Sequence, residues 1–253
     1  MVQKTITING LPWLPMNHLV DDTFLQKLDL EVCLGLAQAK NDYMSTLYAS
    51  GRGDVPIEIH PTEYKESTEV ENSLTAEEIN LIKNFDLKTK QRFLKFYKQA
   101  YHPWAFCYDV IPSSWTNRDV PINKTVPSEA LKLFPTLIKW AFGIGIFKSI
   151  GRIAIFGVDV NQPVICHRDL DPNKSAQDCN LLMISPKGNK KFYIYDQEKQ
   201  EKLYVKDNVW IFHDFNFHGA DAVPYFNYTI RIDGKYTNEF AQTINYDRKG
   251  QTP

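Results

Sequence analysis

Cysteine is scarce and scattered in this chain. Its four residues, Cys33, Cys107, Cys166 and Cys179, form no CxxC pair and no zinc-binding spacing. In 253 residues they read as reduced thiols, which predicts a cytosolic protein. Long hydrophobic runs are missing too. No stretch approaches 18 uninterrupted apolar residues, so no membrane span is expected. Residues Met1 to Pro15 lack a basic segment leading into an apolar one, so no secretory signal is expected. Neither sign of charge dominates: 29 Lys and Arg against 30 Asp and Glu leave a formal charge of −1. No global field therefore draws the chain to nucleic acid or to an anionic membrane. Internal repeats and low-complexity tracts are absent.

What is present suits an ordinary globular protein with a sizeable core: 43% hydrophobic and 23% charged residues. The first half has helical periodicity. Leu25, Leu28, Val32, Leu36, Ala39, Tyr43 and Leu47 make one apolar stripe, with Asp21 or Asp22 as its cap and Gly51 past its end. Thr75 and Glu78 form a capping-box pattern ahead of a second helical stretch reaching Tyr101, with a break near Asp86. Within that stretch Phe93, Phe96, Tyr97 and Tyr101 share a face. Residues 103–127 read as loop, and a shorter helix is expected over Ser128–Phe142 with Pro135 inside it.

From Gly151 the texture changes to short runs rich in β-branched and aromatic residues: 152–158, 163–167, 180–185, 191–195, 202–205, 209–212 and 228–233. Turn residues separate them, which predicts a sandwich or jelly roll. The expected architecture is mainly β, one domain over residues 1–253. A mainly helical layer (1–148) packs on a double-stranded β-helix of the cupin-like kind (149–240), followed by a C-terminal tail (241–253).

Polar residues with metal chemistry gather in this last third. Val164-Ile165-Cys166-His167 reads as a strand, and residues two apart on a strand project from one face, so His167 and Asp169 can converge on one ion. A third ligand should come from a later strand. His218 is preferred because it precedes the turn at Gly219, and His213 is the alternative. Two imidazoles and one carboxylate with open positions are the ligand set of non-haem Fe(II) oxygenases. On the strand 228–233, Thr229 and Arg231 share a face and are placed to grip a distal carboxylate, the guanidinium matching it bidentately. Arg152 and Lys191 are the next cations to consider, though Arg152 reads more simply as half of a structural salt bridge.

The segment Gly151–Tyr236 resembles the 2-oxoglutarate and Fe(II)-dependent oxygenases. Within them it is closest in pattern to the aspartyl/asparaginyl β-hydroxylase-like and proline-hydroxylase-like branch. The resemblance rests on Gly151-Arg152-Ile153-Ala154-Ile155, on Val164 to Asp169, and on Val209 to His218 followed by Asn227 and Arg231. It implies that His167, Asp169 and His218 bind Fe(II). It further implies that 2-oxoglutarate chelates the iron, that Arg231 pairs with its C5 carboxylate, and that Asn180 helps hold its C1 end. The implied reaction uses O2 to hydroxylate a C–H bond, releasing succinate and CO2. An amino acid or a peptide or protein side chain is the expected substrate; Trp210, Phe212 and Tyr193 are candidate walls, and a filled hydrophobic core explains them equally well. The rival readings are a cupin-type metalloenzyme without 2-oxoglutarate and a non-catalytic β-rich binding module.

Overall fold

The alternation of side chains along the last third resolves into two antiparallel sheets in the computed structural model. It describes residues 4–39, 74–87, 106–113, 126–158, 163–169 and 180–247, together with 89, 90, 93, 97 and 161. The strands are β1 (Thr7–Ile8), β2 (Trp13–Pro15), β3 (Phe106–Ile111), β4 (Phe147–Val158), β5 (Val164–His167), β6 (Leu181–Ile184), β7 (Phe192–Asp196), β8 (Glu201–Tyr204), β9 (Val209–Phe212), β10 (His218–Ala220), β11 (Asn227–Tyr236) and β12 (Tyr246–Asp247). The large sheet has the order β2-β9-β6-β11-β4-β3 and the small one β5-β10-β7-β8. Leu181, Met183, Trp210 and Phe212 of the large sheet meet Phe192 and Ile194 of the small one in a shared apolar interior. Two sheets face to face with an interdigitated filling make a jelly roll, the double-stranded β-helix expected.

Helices cover the back of the large sheet: α1 (Asp22–Gln38), α2 (Ala76–Ile82), α3 (Ser128–Leu133) and α4 (Pro135–Gly143), with the short α5 (Asn238–Ala241) near the C-terminus. Both predicted caps form. The Asp21 carboxylate accepts from the backbone N–H of Phe24 at 2.7 Å, and Thr75 and Glu78 close a capping box. Helix α1 carries Leu25, Leu28, Val32 and Leu36 into the core with Ile230 and Ile232 of β11. Glu31 of α1 accepts from the backbone N–H groups of Thr136 and Leu137 at 2.8 and 2.9 Å, placing a carboxylate on the first turn of α4. A Cβ at Gly35 would run into the ring of Phe134, so only glycine permits α1 to approach the junction of α3 and α4 this closely. No helix among the described residues is long and apolar enough to cross a membrane.

Several expectations need correction. The mainly helical 1–148 layer also lends strands to the large sheet, whose two edges are β2 and β3. Residues 106–111 lie in the stretch read as loop. Their strand character comes from pairing with β4, a partner more than 40 residues away. Pro15 is tolerated because β2 is an edge, where a missing N–H leaves no ladder bond unmade. Strand β4 begins at Phe147, before the Gly151 boundary. The 128–142 helix is two helices, broken at Phe134 ahead of Pro135. In the C-terminal tail, β12 pairs with β1 (Thr7↔Asp247, Ile8↔Tyr246). Tyr43, Leu47 and Gly51 of the first stripe, and Phe96 and Tyr101 of the second, lie outside the described residues.

Candidate metal centre

Strand pairing assembles the triad. His167 ends β5 and His218 begins β10, and the two are register partners in the small sheet. Their ring centroids lie 4.5 Å apart. Asp169 follows two residues after β5, and its backbone N–H donates to the carbonyl of Asp214 at 3.1 Å. Its Oδ1 lies 3.4 Å from His167 Nε2 and 3.7 Å from His218 Nε2. One ligand atom from each of the three residues falls within 4.8 Å of the others. The His218 and Asp169 side chains are 6% and 9% exposed, while His167 is 32% exposed and stands at the mouth.

The donor set fits a divalent cation. His218 Nδ1–H points to the carbonyl of Asn216 at 2.9 Å, which fixes the tautomer and leaves the Nε2 lone pair facing Asp169. Burial lowers the pKa of His218 against the opposing pull of Asp169, favouring the neutral ring that a metal requires. Asn216 is itself clamped by the backbone of Ile6: its Oδ1 accepts from Ile6 N–H and its amide donates to Ile6 O, both at 2.8 Å. Phe192 and Phe212 pack on the His218 ring with centroids at 5.7 and 4.8 Å.

Burial would raise the Asp169 pKa, but His218, Arg231 and His167 outweigh it and hold the carboxyl well below the usual range. Arg231 is the one of these three groups whose positive charge does not depend on the protonation of an imidazole. Its Nη1 pairs with Asp169 Oδ2, its Nη2 with Asp214 Oδ2 at 2.9 Å, and its Nε with Asp233 Oδ1 at 2.8 Å. Among the described residues three carboxylates meet this one guanidinium, an excess of negative charge that a divalent cation on Asp169 would offset. The neighbouring Arg152 pairs with Asp109 (Nη2 to Oδ1 at 2.9 Å), the salt bridge expected of it.

The remaining candidates separate. His213 does not join the triad. It lies in the 213–217 turn, where its Nδ1 accepts from Phe215 N–H at 3.3 Å and its ring meets Tyr246. Asn180 shares the parity of Leu182 and Ile184, whose side chains enter the helical core, so strand alternation turns it from the triad. Arg231, expected to hold a co-substrate carboxylate, is engaged here by Asp169, Asp214 and Asp233. Trp210 and Phe212 lie in the apolar interior between the sheets, and Phe212 packs on the His218 ring. Tyr193 alternates with Phe192 and Ile194 and lies on the outer face, its hydroxyl over Gly219, where a Cβ would meet that oxygen at 2.6 Å.

One group escaped sequence reasoning. Lys190 is buried, and its Nζ donates to Thr229 Oγ1 at 3.2 Å. No carboxylate among the described residues pairs with it, and burial pushes its pKa down to about 7. Ser185 follows β6 in the row opposite Thr229, given the Ile230↔Ile184 register. Its buried Oγ has no hydrogen-bond partner among the described residues. Nothing in the sequence around Lys190 signals this: it reads as one more loop lysine.

A cleft of about 530 Å³ lies elsewhere, lined by Asp22, Gln26, Asp29, Tyr97, Lys187 and Asn208, with no triad residue on its wall. Burial raises the pKa of Asp29, whose Oδ1 accepts from Tyr228 Oη at 2.6 Å.

No protein-family model matches the sequence, and no curated protein matches it. Solved structures similar to it include a prolyl hydroxylase in complex with a hypoxia inducible factor oxygen degradation domain peptide fragment, from Trichoplax adhaerens. That match has 10% identity over 94% of this chain and 87% of that one, with a TM-score of 0.42. A 2OG-Fe(II) oxygenase family oxidoreductase from Burkholderia pseudomallei matches at 10% identity over 51% and 67%, with a TM-score of 0.34. EvdMO1 matches at 16% identity over 44% of this chain, which spans only 33% of that protein, with a TM-score of 0.30. Oxygenases of the kind that residues 151–236 resemble are thus among its structural neighbours, at similarities too low to carry more than that.

Proposed function

We propose that this chain is a 2-oxoglutarate- and O2-dependent Fe(II) oxygenase that hydroxylates a C–H bond of an amino acid or of a peptide or protein side chain. The observation that carries this reading is the buried Lys190 ammonium, set against Thr229 on the strand that also bears Arg231. Among the described residues no carboxylate pairs with Lys190; a buried cation so placed is costly, and an acidic ligand would supply a countercharge. Thr229 and Arg231 project from one face of β11, and Arg231 touches Asp169, so the ammonium and the triad share one interior.

His167, Asp169 and His218 would hold the iron, leaving positions open for a chelating acid and for dioxygen. Lys190, Thr229 and the Ser185 hydroxyl would take the distal carboxylate, a role this chain gives to a lysine rather than to Arg231. When bound, the iron would couple oxidative decarboxylation of 2-oxoglutarate, with one oxygen atom of O2 passing into succinate, to insertion of the other into a substrate C–H bond. Phe192, Phe212 and Trp210 keep water from the interior, and the exposed edge of His167 marks the side from which a substrate approaches. The substrate class rests on the resemblance of residues 151–236, and the near-neutral charge disfavours nucleic acid.

The second reading, a metalloenzyme that takes no 2-oxoglutarate, draws support from the engagement of Arg231 by protein carboxylates. Anaerobic addition of Fe(II) and then 2-oxoglutarate to the purified protein separates the two. A visible charge-transfer band, lost in Asp169→Ala, is expected from the first reading. Iron uptake without the band, and without succinate formation in air, would replace it with the second.

A further inference from the structure

The guanidinium of Arg231 is 4% exposed, and carboxylates engage it at all three nitrogens. We propose that Arg231 is a positioning residue for the metal carboxylate: by holding Oδ2 of Asp169 it presents Oδ1 alone to the ion between the two imidazoles. The inference rests on the triad binding a divalent cation, as proposed above.

Three features of the cluster support it. The two oxygens of Asp169 have divided tasks already, Oδ1 facing both Nε2 atoms and Oδ2 facing Arg231. The guanidinium cannot swing, because its rigid fork is pinned on the other edges by Asp214 and Asp233. Asp214 also receives the backbone N–H of Asp169 on its own carbonyl, so one residue of the 213–217 turn fixes both the main chain of the ligand and the clamp on its side chain. Without the clamp, the Asp169 carboxylate could rotate or close on the ion with both oxygens, taking a position that a chelating acid or dioxygen needs. A guanidinium committed in this way is also not free to pair bidentately with a co-substrate, which leaves the distal acid to Lys190.

The test compares wild type with Arg231→Met, Arg231→Lys and Asp214→Asn by Co(II) titration, followed through the visible d–d spectrum, and by Mn(II) equilibrium dialysis. The expected result for Arg231→Met is a loss of about 10- to 100-fold in metal affinity, the usual cost of removing a partner that orients a ligand. Its saturated Co(II) spectrum should also change, reporting an altered Asp169 binding mode. Arg231→Lys should recover part of the affinity, because an ammonium can still reach Oδ2, and Asp214→Asn should shift it less in the same direction. Once saturated with Co(II), Arg231→Met should also bind 2-oxoglutarate more weakly, because the second Asp169 oxygen competes for a position the chelating acid needs, and Arg231→Lys should recover part of that binding. If Arg231→Met fails to fold, as judged by thermal melting of the apoprotein, the lysine and asparagine variants decide the question. Unchanged metal affinity and spectrum with 2-oxoglutarate binding lost would overturn the inference and return Arg231 to the co-substrate. A wild-type protein that takes up no Co(II) would overturn the metal centre and this inference together, a result distinguishable because it precedes any substitution.

Discussion

Along β11, Tyr228, Ile230 and Ile232 enter the core against α1, while Thr229, Arg231 and Asp233, interleaved with them, face the interior that holds the triad. One strand thus contributes to two environments. On the helical face, stabilisation follows apolar area removed from water and is close to additive. A polar intrusion there, Tyr228 on Asp29, is paired at 2.6 Å. On the inner face Arg231 and its three carboxylates are buried as a network, each tolerable only because the others are present. Disturbing the first face should therefore lower stability, and disturbing the second should remove binding.

The sharpest way to break this comparison is Asp169→Ala, which should abolish metal uptake measured as iron per folded chain. It should also remove the rise in melting temperature that Mn(II) gives the wild type, since only ligands of the folded state stabilise it. Full iron content in that variant would remove the triad reading. On the other face, Ile230→Ala should cost about 2–5 kcal/mol in urea denaturation, the range for a buried side chain cut to alanine. The chains that remain folded should bind metal normally. A variant that lost metal with little loss of stability would dissolve the distinction between the faces.

Lys190→Met should weaken 2-oxoglutarate binding about 10-fold or more while sparing the metal, an estimate from the value of a charge-assisted hydrogen bond. It also has a pH signature. With its folded pKa pushed down to about 7 from 10.5, Lys190 must be charged in both states below pH 7, so its burial cost is fully present there. Between pH 7 and 10.5 the unfolded chain holds more protons than the folded one, so this residue's contribution to stability improves as pH rises. Denaturation midpoints at pH 6 and pH 9 should therefore differ less in Lys190→Met than in the wild type. An identical pH dependence would place the depressed titration elsewhere. The smallest effect is expected from Asp21→Ala, which removes the cap on Phe24 N–H and should cost roughly 1 kcal/mol in the same assay. Metal binding should stay the same.

Much of this arrangement was legible from local pattern. The strand ending at His167 placed Asp169 on the same side, and the seven predicted strands of the last third are all present with small shifts of their ends. The caps at Asp21 and Thr75 formed because each is decided within four residues. What misled was distance along the chain. Strand β3 in the 103–127 stretch exists through its pairing with β4, and β2 through its pairing with β9. Alternation also leaves the choice of face open. Asn180 follows the parity of Leu182 and Ile184, and only the position of the helices shows that this parity points away from the triad.

From the chain alone came the residue types of the triad, their spacing, the β-rich last third and the capped helices, because periodicity and capping act over a few residues. Tertiary structure alone decided that Arg231 meets Asp169, Asp214 and Asp233 rather than standing open, and that an unremarked loop lysine, Lys190, is buried against Thr229. The physical reason is common to both. The charge state and the partner of a buried ion depend on which other charges are desolvated with it, and those come from strands far apart in the chain that only sheet pairing brings together.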